Sequence, residues 1–224
     1  MKLVEYADRE MMAMSLANKL AGDLATFLTT SERALLAVPG GTTPGPVFDS
    51  LCAADLEWER VTIVLTDERW VPEDSPRSNT RLIREHLLVE RAARARFLPL
   101  YTGAPSPEDA FGELAEQIEP LLPISVLLLG MGEDMHTASL FPGDPQLEAA
   151  LRDRAPNVMA MRPPGEPEPR ITLTGPVLAD ALEKHVVITG EEKRAALERA
   201  VQLGDPLQAP IVAVLNGATV HWAA

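Results

Sequence analysis

Near the start of the chain, Ala13, Leu16, Ala17, Leu20, Leu24, Phe27 and Leu28 recur with the i, i+3, i+4, i+7 rhythm of an amphipathic helix. Residues 35–38 then form a short apolar run closed by Pro39-Gly40-Gly41, the pattern of a buried strand that ends in a tight turn. Thr43 as N-cap and Pro44 at the first helical position predict that a helix follows at once, with Val47, Phe48, Leu51 and Ala54 on its apolar face. The alternation continues. A β-branched strand is predicted over 61–65, and a helix from near Ser78 carries Leu82, Ile83 and Leu87 on one face. Another helix, opened by Ser106-Pro107, turns Phe111, Leu114, Ala115 and Ile118 inward and places Glu108 and Asp109 in its electropositive first turn. Residues 124–129 are the most apolar strand and run into Gly130. A strand over 186–189 passes through Gly190 into a helix over 191–201, and 211–215 is predicted as a last central strand. Unbroken apolar strands separated by helices indicate a mostly parallel sheet covered on both faces, a Rossmann-like α/β fold. The proline-rich stretch 162–169 is too short for a linker and is expected to be a stiff loop within one domain spanning 1–224.

Composition narrows the function. With 46% hydrophobic and 24% charged residues, the chain has the material for a buried core, which sets disorder aside. Lys and Arg number 20 against 33 Asp and Glu, a net charge of −13, so neither nucleic acid nor an anionic membrane is an expected partner. An anionic ligand therefore needs a local positive site. Cys52 is the lone cysteine and excludes an internal disulfide, and the charged start of the chain, Asp8-Arg9-Glu10, is unlike a secretory leader. A cytoplasmic protein is expected; the pattern leaves its oligomeric state open.

In open α/β sheets ligands bind beyond the carboxyl ends of the strands, and four such places carry unusual chemistry. Gly40, Gly41, Thr42 and Thr43 follow the first apolar strand, where glycine permits close backbone approach and the next helix offers free N–H groups, a plausible phosphate cradle or simply a capped turn. The segment is neither a Walker loop nor a dinucleotide fingerprint. Asp67, Glu68 and Arg69 follow the strand 61–65 and could hold sugar hydroxyls, a phosphate or a developing oxyanion, or be a solvated charged loop. His136 lies on the glycine-rich loop after 124–129, where an imidazole can act as a general base or bond to a loop carbonyl. A zinc site lacks partners, because His86, His185 and His221 are dispersed along the chain. Arg170 and Lys193 are the fourth place; a cation in a helix's first turn opposes the macrodipole unless an anion is near.

In combination, PGGTTP at 39–44, TDERWVP at 66–72, SNTRLIREHLL at 78–88, LLLGMGEDMHTASLFPG at 127–143, PRITLTGPVL at 169–178 and ITGEEKRAAL at 188–197 resemble the 6-phosphogluconolactonase family along nearly the whole chain. The resemblance implies the sugar-phosphate isomerase and deaminase type of fold and hydrolysis of 6-phospho-D-glucono-1,5-lactone in the pentose phosphate pathway. It also implies cytoplasmic placement and neither metal nor organic cofactor. By position, His136 resembles the family's general base, and Asp67 and Arg69 its paired active-site acid and cation. Gly41, Thr42, Arg170 and Lys193 match the phosphate- and substrate-binding set, with Gly40 and Thr43 in the same turn, and Glu68 and Asn79 look supportive. Asp67 is expected to orient hydroxyls or the imidazole. Met135 stands where the family commonly has glycine. Two rivals share the fold: an amino-sugar-phosphate isomerase/deaminase, which has Asn-Glu-Pro after the histidine where this chain has Thr137-Ala138-Ser139, and a non-catalytic sugar-phosphate-binding regulator.

Overall fold

The strands legible as apolar runs form the middle of the sheet. In the computed structural model, which describes all 224 residues, β2 (Ala34–Val38) and β3 (Val61–Leu65) are buried at every position. They lie beside β6 (Val126–Gly130) and β9 (Glu183–Thr189). With β1 (Lys2–Glu5), β5 (Arg96–Leu98) and β10 (Thr219–Ala223) they make a seven-stranded sheet of order β1-β10-β9-β6-β2-β3-β5. Every pairing in it is parallel. Strand order reverses between β2 and β6: the chain first runs outward to β3 and β5, then returns to the other side of β2. A crevice opens at such a switch point, beyond the carboxyl ends of the two strands.

The helices start where the sequence supplies caps. Asp8 accepts the Met11 N–H at 2.7 Å to open α1 (Arg9–Thr30), whose apolar stripe packs along α2 (Gly45–Leu51) and across β10, β2 and β6. Ser78 caps α3 (Asn79–His86) by accepting the Arg81 N–H. Ser106 and Asp109 form a capping box on a 3-10 turn, Pro107–Ala110, that leads into α4 (Phe111–Ile118). Short α5 (Leu147–Leu151) and α6 (Gly175–Ala179) precede α7 (Glu191–Leu203), which Gly190 opens at φ +84°.

Two local expectations are corrected. Thr43 is not a helix cap; α2 opens at Gly45 with Pro44 in the cap position, and Thr43 stays in the preceding turn. The run 211–215 is not a strand: Pro210 opens a 3-10 helix, Pro210–Val214, whose Ile211 N–H reaches the Met135 carbonyl at 3.1 Å. A short buried apolar run satisfies strand and helix alike, and the proline at its head selects the helical turn. The last strand is instead β10.

A second sheet, absent from the sequence reading, sits above the switch point. β4 (Asp67–Arg69), β8 (Arg170–Leu173) and β7 (Val158–Met161) pair antiparallel in the order β4-β8-β7, and 162–169 is the loop joining β7 to β8. Its register sets Asp67 opposite Thr172 and Arg69 opposite Arg170.

The histidines that are dispersed in sequence are not all dispersed in space. His221 of β10 and His185 of the adjacent β9 are 3.1 Å apart, Nε2 to Nδ1. Tyr6 Oη lies 2.8 Å from His221 Nδ1, and His185 Nε2 lies 3.0 Å from Asp23. Burial pushes both imidazoles below the ordinary histidine range, His221 to about 3.

Candidate active site

The two glycine loops face each other across the switch point, with the small sheet closing one side, around a cavity of about 250 Å³. The turn after β2 needs its first glycine for space: a Cβ on Gly40 would stand 1.9 Å from Asn79 Oδ1. Asn79 can therefore lie against bare backbone. Gly41 takes φ +90°, and Gly41, Thr42 and Thr43 line the cavity.

Asn79 links two further walls. Its Nδ2 donates to the Asp67 carbonyl at 2.9 Å, and its Oδ1 accepts from Arg69 Nη1 at 2.5 Å. Glu68 does not face the cavity, which corrects its assignment to the substrate-binding set. It is fully buried, and its carboxylate accepts the N–H groups of Arg69, Asn79 and Thr80 at 2.9, 2.8 and 2.7 Å. Burial pushes the Glu68 carboxyl up while those donors pull it down. Its work is to fasten β4 to the start of α3.

Asp67 makes no hydrogen bond to the imidazole. Ser139 donates to its Oδ2 at 2.6 Å, Thr66 to its Oδ1 at 3.3 Å, and Arg170 Nη1 is 4.0 Å from it. Arg170 is itself 95% buried, paired through Nη2 with Glu166 at 2.5 Å, and its Nε–H has no partner. Arg69 Nε is likewise buried and unpartnered. Two guanidiniums opposed in register repel each other, a repulsion that an anion in the cavity would offset. Lys193, in the first turn of α7, completes the cationic wall and makes no ion pair, whereas its neighbour Arg194 is taken by Glu5.

His136 lines the same cavity. Its Nδ1 is 2.5 Å from Asp134 Oδ1, and its ring stacks on Phe141. Burial works against the Asp134 carboxylate, but the hydrogen bond and charge of His136 outweigh it and hold the carboxyl below its ordinary range. With Nδ1 so occupied, Nε2 is the free ring nitrogen. The loop reaches this geometry at a conformational cost: Met135 sits at φ +68° and Ala138 at φ +48°, both left-handed. The Met135 position is one that favours glycine. A Cβ on Gly132 would meet His136 Nδ1 at 2.3 Å and Asp134 Oδ1 at 2.4 Å, so the pair exists only over glycine.

The structure thus gathers His136, Asp67, Arg69, Asn79, Arg170, Lys193 and the turn 40–43 around one cavity and leaves Glu68 beneath it. The sequence reading missed Asp134, Ser139, Phe141 and Glu166 as working residues. Asp134, two positions before the histidine, was the one with a visible signal. The grouping that presents metal-ligand atoms together is Asp23, Glu183 and His185, within 4.8 Å of one another, and there the Lys19 ammonium already pairs with Asp23 at 2.5 Å.

The family model described as glucosamine-6-phosphate isomerases/6-phosphogluconolactonase matches residues 7–222. The chain belongs to this family. Within it, the chain is 43% identical over 214 residues to a 6-phosphogluconolactonase of Pseudomonas aeruginosa, covering 94% of this chain and 90% of that one. A 6-phosphogluconolactonase of Rhizobium meliloti is 41% identical over 218 residues, covering 95% and 94%. The crystal structure of a 6-phosphogluconolactonase from Shewanella baltica superposes with a TM-score of 0.96 at 34% identity, covering 100% of this chain and 97% of that one. The α/β fold expected of the family is the one observed, and no helix is long and apolar enough to cross a membrane.

Proposed function

We propose that this chain hydrolyses 6-phospho-D-glucono-1,5-lactone to 6-phospho-D-gluconate, with His136 as general base. The observation that carries the reading is that His136, paired with Asp134, shares one cavity with Arg69, Arg170 and Lys193: a base and cations able to hold an anion within the same site. His136 Nε2 takes a proton from water as the water oxygen bonds to C1 of the lactone. The carbonyl π electrons move onto oxygen, where Arg69 or loop N–H groups neutralise the charge. Collapse of this intermediate breaks the bond between C1 and the ring oxygen, and the imidazolium returns its proton to that oxygen. No covalent enzyme intermediate forms. Asp134 keeps Nδ1 protonated and stabilises the transient imidazolium. Arg170, Lys193 and the 40–43 turn hold the phosphate, and Asp67 and Asn79 bind or orient hydroxyls, which fixes C1 against the base. The placement in the pentose phosphate pathway and the cytoplasm that the resemblance implies goes with this reading, as does one domain over 1–224, supported by a core cluster running from Met12 to Ala223.

The test is turnover of freshly prepared phosphorylated lactone, with spontaneous hydrolysis subtracted. Acid release well above background is expected. Release of ammonia from glucosamine 6-phosphate, or tight product binding without turnover, would select one of the two rivals instead.

A further inference from the structure

The base and the anion receptor are built on separate parts of the fold: His136 on the loop after β6, Arg170 on β8 of the small sheet. One side chain touches both. The Phe141 ring stacks on the His136 imidazole, centroid to centroid 3.9 Å and 17° from parallel. The Arg170 guanidinium carbon lies 5.2 Å from the centroid of the same Phe141 ring. Phe141 is well anchored for such a task. It follows Leu140, fully buried and held by the Leu140 N–H to the Thr137 carbonyl, and its own carbonyl accepts the Asp144 N–H at 3.2 Å.

Neither neighbour has enough polar restraint to fix its plane. The ring of His136 has one hydrogen bond, to an Asp134 side chain that is 51% exposed, and Arg170 has one close partner, Glu166, with Nε unspent. A flat aromatic face supplies what is missing, by stacking against the imidazole and by attracting the guanidinium. We propose that Phe141 is a positioning residue that sets the His136 base and the Arg170 cation in one fixed relation across the cavity. This rests on the reading of His136 and Arg170 given above. The consequence is a coupling: loss of the ring disturbs both the chemical step and the hold on the phosphate, since misplacement of reacting groups by an ångström is worth a large factor in rate.

The experiment compares Phe141→Leu, which keeps an apolar side chain and removes the flat face, with Phe141→Tyr, which keeps the face. On the phosphorylated lactone Phe141→Leu should lose about tenfold in kcat and raise KM several-fold. Phe141→Tyr should restore both to near the wild-type values. A role confined to folding would instead lower the active fraction and leave KM unchanged, and KM alike in wild type and Phe141→Leu would overturn the proposal. Imidazole proton NMR of the wild type needs no variant: His136 ring protons shifted upfield by the Phe141 ring current are expected, and their absence would equally overturn it. If wild type itself fails to turn over the lactone, the functional reading falls. The stacking and its effect on binding of 6-phosphogluconate are still decided by NMR and titration.

Discussion

Asp134 Oδ1 takes both the Nδ1 side of the His136 ring, at 2.5 Å, and the His136 backbone N–H, at 3.2 Å, so one carboxylate bonds to the side chain and main chain of the same residue and leaves the ring free to turn about that bond. A base held in this way should be separable from binding. His136→Ala is predicted to lower kcat by roughly 10² to 10⁴ while the affinity for 6-phosphogluconate largely survives. Asp134→Asn should cost less, roughly 10- to 100-fold, because an amide oxygen can still accept the backbone N–H. A fully active His136→Ala would move the base to Asp67.

Arg170 and Lys193 face the cavity from different elements, β8 and α7, and are predicted to hold the phosphate. Arg170→Ala and Lys193→Ala should each weaken use of the phosphorylated lactone by about 1.5–3 kcal/mol, the worth of a charge-assisted hydrogen bond. Unphosphorylated gluconolactone should be a poor substrate for wild type and nearly unaffected by either substitution. Parallel steady-state kinetics on the two lactones separate this from damage at C1, which would lower both alike.

Gly132→Ala is predicted to disable the enzyme without unfolding it. The new Cβ would stand 2.3 Å from His136 Nδ1 and 2.4 Å from Asp134 Oδ1, so the two side chains must part to admit it. The kcat of this variant should approach that of His136→Ala, while the urea midpoint falls little, because the clash is relieved by movement of a half-exposed pair. Wild-type kcat in Gly132→Ala would show that the pair is not needed in this geometry.

The middle of the large sheet was legible because β2, β3, β6 and the second half of β9 are runs of apolar residues, and α1, α3 and α4 because their caps or apolar stripes stand in the sequence. The small sheet was hidden for a physical reason. β4 is Asp67-Glu68-Arg69 and β8 begins with Arg170, so strands that build a charged site look like solvated loop. β10 was hidden by His221, a polar residue whose partners, Tyr6 and His185, are 215 and 36 positions away. The positions of His136 and Lys193 after apolar strands placed them at the cavity. Where the Phe141 ring lies depends on a loop with left-handed Met135 and Ala138, which no spacing encodes.

The buried histidine pair yields a stability prediction of definite sign. Burial, with the charges of His185 and Lys19 acting the same way, lowers folded His221 from the ordinary 6.5 to about 3. Between those values the unfolded chain carries a proton that the folded chain does not, so this contribution to stability is complete above about pH 6.5 and is lost as pH falls. At pH 5 the loss from His221 comes to about 2 kcal/mol relative to pH 7. His185 shifts in the same direction, through burial against the opposing pull of Asp23, and adds to the loss. Urea unfolding at pH 7 and pH 5 should therefore show a drop for wild type that exceeds the drop for His221→Gln by about 2 kcal/mol. The variant will be less stable at pH 7, since Gln packs poorly between Tyr6 and His185, but only the difference between the two pH values matters. Equal drops in the two proteins would mean that His221 carries its proton in the folded state, and that the Tyr6–His221–His185 chain is not the neutral network its burial requires.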